Sequence, residues 1–264
     1  MRRSPFVVKP FVLLYLRSTD NPLIMKRFIQ AALDLAFPRN CIHCGNTIEQ
    51  SPYSFVCAAC ASEIVECLPP ACKTCGYPFY GMVIATKSCP HCIDLDPVFD
   101  QGKTLFLAKG VGRSLLHELK YKKRLFVLKD ISKIACRSTH YLEFIDNASL
   151  VPVPLHPAKL RERGFNQSEQ IAKMLIKATE GNSQIERLLV RKQYTQSQTR
   201  LNQSERYQNV KNAFALAPNS VLIPNRKYIL IDDVFTTGST LNACAGVLRK
   251  AGANHLKVAT IGHG

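Results

Sequence analysis

Residues 228–241 read YILIDDVFTTGSTL, and their order predicts a buried strand, an acidic pair, a small polar loop and a helix. Tyr228, Ile229, Leu230 and Ile231 form a continuous apolar run, as a parallel strand covered on both faces requires. Asp232 and Asp233 fall at its carboxyl end, where open α/β sheets bind ligands. Thr236, Thr237, Gly238, Ser239 and Thr240 then offer hydroxyls and backbone N–H groups together. Leu241, Cys244, Leu248 and Ala251 repeat with helical spacing, and Gly252 stops the helix. A small uncharged loop at a helix N-terminus suits phosphate, because unsatisfied N–H groups and the helix dipole face the anion. Two carboxylates just before it can hold sugar hydroxyls or a magnesium ion. The combination suits a sugar phosphate; the alternative is an ordinary strand–helix corner with a Ser/Thr cap.

Outward from this stretch, strands and helices alternate. The sequence predicts strands over 103–108, 149–154, 188–190 and 257–262 and helices over 111–122, 126–135 and 166–178. A short amphipathic helix is expected over 24–36, ended by Pro38. Such alternation implies a doubly wound α/β fold with a largely parallel sheet. The expected division is a tail over 1–24, a helix plus cysteine-rich domain over 25–100 and the α/β domain over 101–264. The sequence from Met25, MKRFIQAALDLAFP, reads as a natural start, which makes residues 1–24 an extension or a tail.

Eight of the eleven cysteines form four C-x-x-C pairs: Cys41/Cys44, Cys57/Cys60, Cys72/Cys75 and Cys89/Cys92. Two near-copies are visible, each with a glycine (Gly45, Gly76) after its first pair. Four thiolates suit tetrahedral zinc and leave no open position, so two structural zinc ions are expected. The simplest assignment puts Cys41, Cys44, Cys57 and Cys60 on one ion and Cys72, Cys75, Cys89 and Cys92 on the other. Interleaved pairing, His43 or His91 as competing ligands, and a redox role are the alternatives. So short a region has no core of its own, and the metal supplies its folding energy. Thiols kept for metal argue for a reducing compartment, the cytoplasm. The longest N-terminal apolar stretch, Phe11–Leu16, is far short of the ~20 residues a spanning helix needs.

The net charge of +16 is uneven. Residues 1–100 carry nine Lys/Arg and eight Asp/Glu, net +1; residues 101–264 carry 26 and 11, net +15. A polyanionic partner is the natural inference, either nucleic acid or a phosphate-rich small molecule; the alternative is a basic surface that serves solubility alone. In VPVPLHPAKLRERGFNQ, residues 151–167, prolines predict an extended path into a basic loop with Lys159, Arg161 and Arg163. That is a second anion site by the same physics, the alternative being a basic linker with Asn166 as helix cap. Residues 195–214 are rich in Gln, Asn and Arg and suit a flap over a phosphate ligand, a nucleic-acid contact or a solvated loop.

The 228–241 stretch resembles the phosphoribosyl-pyrophosphate (PRPP) motif of type I phosphoribosyltransferases. The resemblance implies that Asp232 and Asp233 contact the ribose hydroxyls and that residues 236–240 cradle the 5-phosphate. The loop with Lys159, Arg161 and Arg163 takes the pyrophosphate role. The three loops together, behind four cysteine pairs, resemble the ComF family over about residues 25–264. That resemblance implies a type I phosphoribosyltransferase-like parallel sheet behind an N-terminal double zinc ribbon. It further implies a cytoplasmic protein that assists natural transformation or DNA use by handling single-stranded DNA beside the uptake helicase or translocation machinery. The alternative is an active phosphoribosyltransferase acting on PRPP with magnesium, for which the sequence offers no identifiable hood to hold an acceptor base unless the zinc module fills that role.

Overall fold

The computed structural model describes Met25 and residues 39–80, 89–179, 183–192 and 212–264. The expected tail, the body of the helix expected over 24–36 and nearly all of the 195–214 segment lie outside those residues. A one-turn helix, α1 (Ala58–Ala61), sits in the cysteine-rich region. The α/β part runs β1 (Gln101–Leu107), α2 (Gly110–Lys120), α3 (Leu128–Arg137), α4 (Thr139–Ile145), β2 (Ser149–Pro152), α5 (Pro157–Arg163) and α6 (Gln167–Ala178). It continues through β3 (Gln184–Ile185), β4 (Leu189–Arg191), β5 (Phe214–Leu216), β6 (Lys227–Phe235), α7 (Ser239–Lys250) and β7 (His255–His263).

Five strands form one sheet in the order β1-β7-β6-β2-β3, and every pairing in it is parallel. β4 and β5 make a separate antiparallel pair. The expected α/β parallel sheet is therefore present, with β6 at its centre. Alternation along β6 divides the core between the two faces. Ile229 and Ile231 join the cluster under α2, α3, α4 and α6. Tyr228 and Leu230 join the cluster under α7, with Leu241, Cys244 and Leu248. All of these side chains are essentially removed from water, which explains why the strand reads as an unbroken apolar run.

The ribbon region is built onto this domain. Residues 65–67 pair antiparallel with the free edge of β1: Leu107 N donates to Val65 O and Cys67 N to Leu105 O, both at 2.9 Å. A covered edge cannot template association. Fully buried Asp130 of α3 accepts the N–H groups of Ser54 and Phe55, each at 2.7 Å. The turn after Cys75 lies directly on β1. A Cβ on Gly76 would come within 2.5 Å of Thr104 N, and one on Gly102 within 2.1 Å of Thr74 O, so only glycine fits at either place.

Candidate functional site

Each group of four cysteines places its sulfurs within 4.8 Å of one another: Cys41, Cys44, Cys57 and Cys60 in one, Cys72, Cys75, Cys89 and Cys92 in the other. Zn–S bonds of about 2.3 Å in a tetrahedron require sulfurs about 3.8 Å apart. The observed separations are 3.7 Å for Cys44–Cys57, 3.7 Å for Cys75–Cys89 and 4.0 Å for Cys72–Cys92. Both sets fit a structural zinc, and the pairing is sequential rather than interleaved. The two histidines stand outside the sets. His43 Nδ1 meets Ser114 Oγ at 2.9 Å, and His91 packs on Tyr77 and His263.

The second candidate site is the crevice at the carboxyl end of β6. This strand does not stop at the acidic pair, as the sequence suggests; it runs to Phe235, paired with β7 through Phe235↔His263. Strand alternation therefore turns the two carboxylates to opposite faces. Asp233 Oδ2 lies 3.5 Å from Lys120 Nζ at the end of α2, and the Asp233 charge raises the pKa of Lys120. Asp232 Oδ1 accepts from Ser168 Oγ at 2.9 Å and from Asp233 N at 2.9 Å. Burial and the adjacent Asp233 carboxylate push Asp232 up to about 7.

Ser168 is placed by its helix cap. Asn166 accepts from Ser168 N at 3.1 Å and donates to Val153 O at 2.9 Å, fixing α6 to the chain leaving β2. Buried Gln167, one residue before Ser168, has a side-chain donor with no protein partner among the described residues.

Residues 236–240 turn at the N-terminus of α7. Gly238 occupies the cap position with φ +73°, a left-handed conformation that favours glycine. It has no side chain to cap the helix, which leaves N-terminal N–H groups for an anion. Thr237 and Ser239 share a hydroxyl hydrogen bond of 2.9 Å. Thr236 is exposed, Thr237 and Thr240 are half-buried, and Ser239 is buried.

Lys159, Arg161 and Arg163 are not on a loop. Pro157 opens α5 and His156 caps it, accepting from Ala158 N at 3.2 Å; proline is well suited to the first helical position. The helix separates the three cations. Lys159 and Arg163, four residues apart, share a half-buried face, whereas Arg161 is exposed. Lys159 lies within electrostatic range of Arg191, Arg163 and Lys120, and its pKa is lowered by burial and by those charges. Arg191 at the end of β4 is in turn within range of Asp232 and stacks over Phe214, 5.1 Å from the ring centroid. Lys120, Lys159, Arg163 and Arg191 thus surround the acidic pair from three elements.

The basic run 120–124 is engaged locally rather than displayed. Lys122 and Arg124 pair with Glu118 at 3.1 and 2.7 Å, and Lys123 donates to Glu162 O. Tyr121 within it is exposed, while Phe165 packs on the core. Among the described residues no helix is long and apolar enough to cross a membrane.

The double zinc ribbon domain family matches residues 32–93. Competence protein F of Haemophilus influenzae is 27% identical over 230 residues, 84% of this chain and 96% of that protein. Competence protein ComFC of Streptococcus pneumoniae is 27% identical over 82% of this chain and 96% of its own length. DNA utilization protein YhgH of Escherichia coli is 29% identical over 77% and 88%. Over most of its length the chain is similar to these competence and DNA-utilisation proteins. A hypoxanthine phosphoribosyltransferase structure from Staphylococcus aureus aligns with TM-score 0.33 at 18% identity, over 50% of this chain and 62% of that one.

In this chain the acidic pair and the 236–240 loop stand together at the carboxyl end of β6, and all eight cysteines fall into the two sets expected from their spacing. Arg191, Ser168 and Lys120 carry no motif of their own in the sequence and join the acidic pair only in the fold. Signals for part of this were present: Asn166 as a cap places Ser168 on the first turn of α6, and Pro157 opens a helix.

Proposed function

We propose that the chain assists DNA uptake or DNA utilisation in the cytoplasm by handling single-stranded DNA, and that the crevice at the end of β6 binds a PRPP-type sugar phosphate. The observation that carries the ligand reading is the meeting of Asp232 and Asp233 with Lys120, Lys159, Arg163 and Arg191 beside an uncapped helix N-terminus. In this reading the carboxylates take the ribose hydroxyls, residues 236–240 take the 5-phosphate, and Lys159 with Arg163 faces the pyrophosphate. Arg161, exposed on the other side of α5, has a lesser share. Magnesium accompanies such a diphosphate, and Asp232 and Asp233 are the residues that would hold it. The DNA reading is supported by the names of the competence and DNA-utilisation relatives and by the net +15 of residues 101–264. A place beside an uptake helicase or translocation machinery belongs to the same reading.

Two titrations test it. Calorimetry with PRPP should show binding that the double variant Asp232→Asn/Asp233→Asn loses. Anisotropy with a labelled oligothymidylate should show binding that falls with salt, by about 0.7 in log affinity per decade for each neutralised phosphate. Absence of either response removes that half of the proposal. A true transferase is the second reading, favoured by the same acidic pair and cation ring. Incubation with PRPP and a panel of bases, followed by pyrophosphate release, separates the two: steady release makes the chain an enzyme, and none leaves it a binding protein.

A further inference from the structure

The opposite end of the sheet carries a second cationic feature. Lys227 opens β6, Lys257 lies in β7 and Lys103 in β1. Lys227 is paired with His255, two residues before Lys257; Lys257 is paired with Gln101, two residues before Lys103. The three side chains therefore form a diagonal row across adjacent strands on one face, with neighbours about 8 Å apart for strands 4.8 Å apart and a two-residue offset. Phe144 of α4 lies under the row, its centroid 5.3 Å from Lys103 Nζ and 5.0 Å from Lys257 Nζ.

The row is not neutralised. Among the described residues Lys73, Lys103, Lys227 and Lys257 make no salt bridge, whereas Lys122, Arg124, Lys173, Arg187 and Arg226 do. Glu143 near Lys103 and Asp146 near Lys227 are within electrostatic range only. Lys103 and Lys227 each donate to one carbonyl, His140 O at 2.7 Å and Asp146 O at 2.8 Å, and each ammonium keeps further donors. Burial, together with the Lys257 charge, lowers the pKa of both, and Glu143 for Lys103 and Asp146 for Lys227 offset this only in part.

Beside the row a cavity of about 280 Å³ opens between the ribbon and β1, lined by Cys67, Lys73, Gln101, Lys103 and His140 among others. Tyr80, 69% exposed, stands within electrostatic range of Cys67 at this cavity. Unpaired lysines beside a free aromatic ring are the components of a sequence-tolerant single-strand site, in which ammonium groups follow phosphates and the ring stacks a base.

We propose that this edge, with Lys73, Lys103, Lys257 and Lys227 as its cations and Tyr80 as its stacking ring, is the track for single-stranded DNA, at the end of the sheet opposite the sugar-phosphate crevice. The proposal rests on the DNA reading above and locates it.

The test uses the full zinc-loaded chain and a labelled oligothymidylate in a salt series. Lys73 and Lys257 hold no carbonyl, so Lys73→Gln/Lys257→Gln should leave folding intact, checked by thermal melting. Loss of two phosphate contacts should lower the log–log salt slope by about 1.4 and the affinity at 0.1 M salt roughly twenty-five-fold. PRPP affinity should not change. Lys122→Gln/Lys173→Gln, which alters two paired lysines, should bind DNA like the parent. If the parent binds and the Lys73/Lys257 variant binds equally with the same slope, the track is elsewhere and the DNA reading stands. If the parent does not bind at low salt, the reading itself falls and the track with it.

Discussion

Leu95, three residues past the last zinc-site cysteine, closes over Gly238 at the start of α7: a Cβ on Gly238 would come within 2.8 Å of Leu95 Cδ2 and 2.7 Å of Phe235 Cζ. The segment leaving the ribbon is thus a wall of the 236–240 turn. The contact is reinforced through Tyr77, His91 and His263, whose rings pack in series with Phe235 at centroid separations of 4.2 to 5.3 Å. The second cysteine set and the 236–240 turn thus share a packed boundary.

Gly238→Ala should therefore damage the loop twice. The left-handed backbone costs an L residue about 1–2 kcal/mol, and the added methyl meets side chains with no room beside them. Denaturant unfolding should report a loss of at least that size, and PRPP calorimetry a weaker affinity under conditions where the protein remains folded. Unchanged affinity would show that the turn does not set the phosphate site.

Asn242 is the second fastening. It is buried, donates to Asp96 O and accepts from Val98 N, both at 2.8 Å. Asn242→Ala leaves two backbone groups without their partner, at about 1–3 kcal/mol for each that stays dry. Urea unfolding should show a drop in that range; a change under half a kilocalorie would mean that water replaces the side chain.

Elemental analysis should find two zinc ions per chain. The sites should differ in consequence. The second packs on β1, where Thr104 Oγ1 donates to Cys75 O at 2.8 Å, and on the ring series leading to Phe235. Cys75→Ser should lower PRPP affinity more than Cys44→Ser, whose site lies in the other ribbon half. Equal effects would deny any special coupling of the second site to the loop.

The pH dependence has a definite sign. The carboxyl of Asp232 stands at about 7 in the fold, against about 3.9 in an unfolded chain. The native state holds this proton more tightly, so this group's contribution is most favourable below about pH 4 and is lost as pH rises towards 7. Asp232→Asn removes the slope. The variant should be more stable than the parent at pH 8 and closer to it at pH 5, as melting curves at the two pH values would reveal. A parent favoured at pH 8 would mean that the Asp232 carboxylate is better paired in the fold than its surroundings indicate.

Much of this protein was legible from local sequence. An apolar run followed by Asp232, Asp233 and a small-residue loop reads as strand, crevice and helix because each part depends on neighbours within one or two turns. The cysteine pairs were legible because zinc demands a fixed geometry from short spacings. The helix α5 was missed although Pro157 is a helix opener, since the prolines before it read as extended chain.

The partners of the acidic pair were decided by tertiary structure alone. Lys120 reaches Asp233 across more than a hundred residues because α2 returns along the face to which Asp233 points. Arg191 lies near Asp232 because β4 and β5 cover the other face. The lysine row exists only through sheet register: nothing in the spacing of Lys103, Lys227 and Lys257 sets them side by side, and a one-residue slip in any strand would turn that lysine to the opposite face. Local pattern determines which elements form, but long-range pairing determines which charges meet, because it depends on the simultaneous burial of both faces of β6.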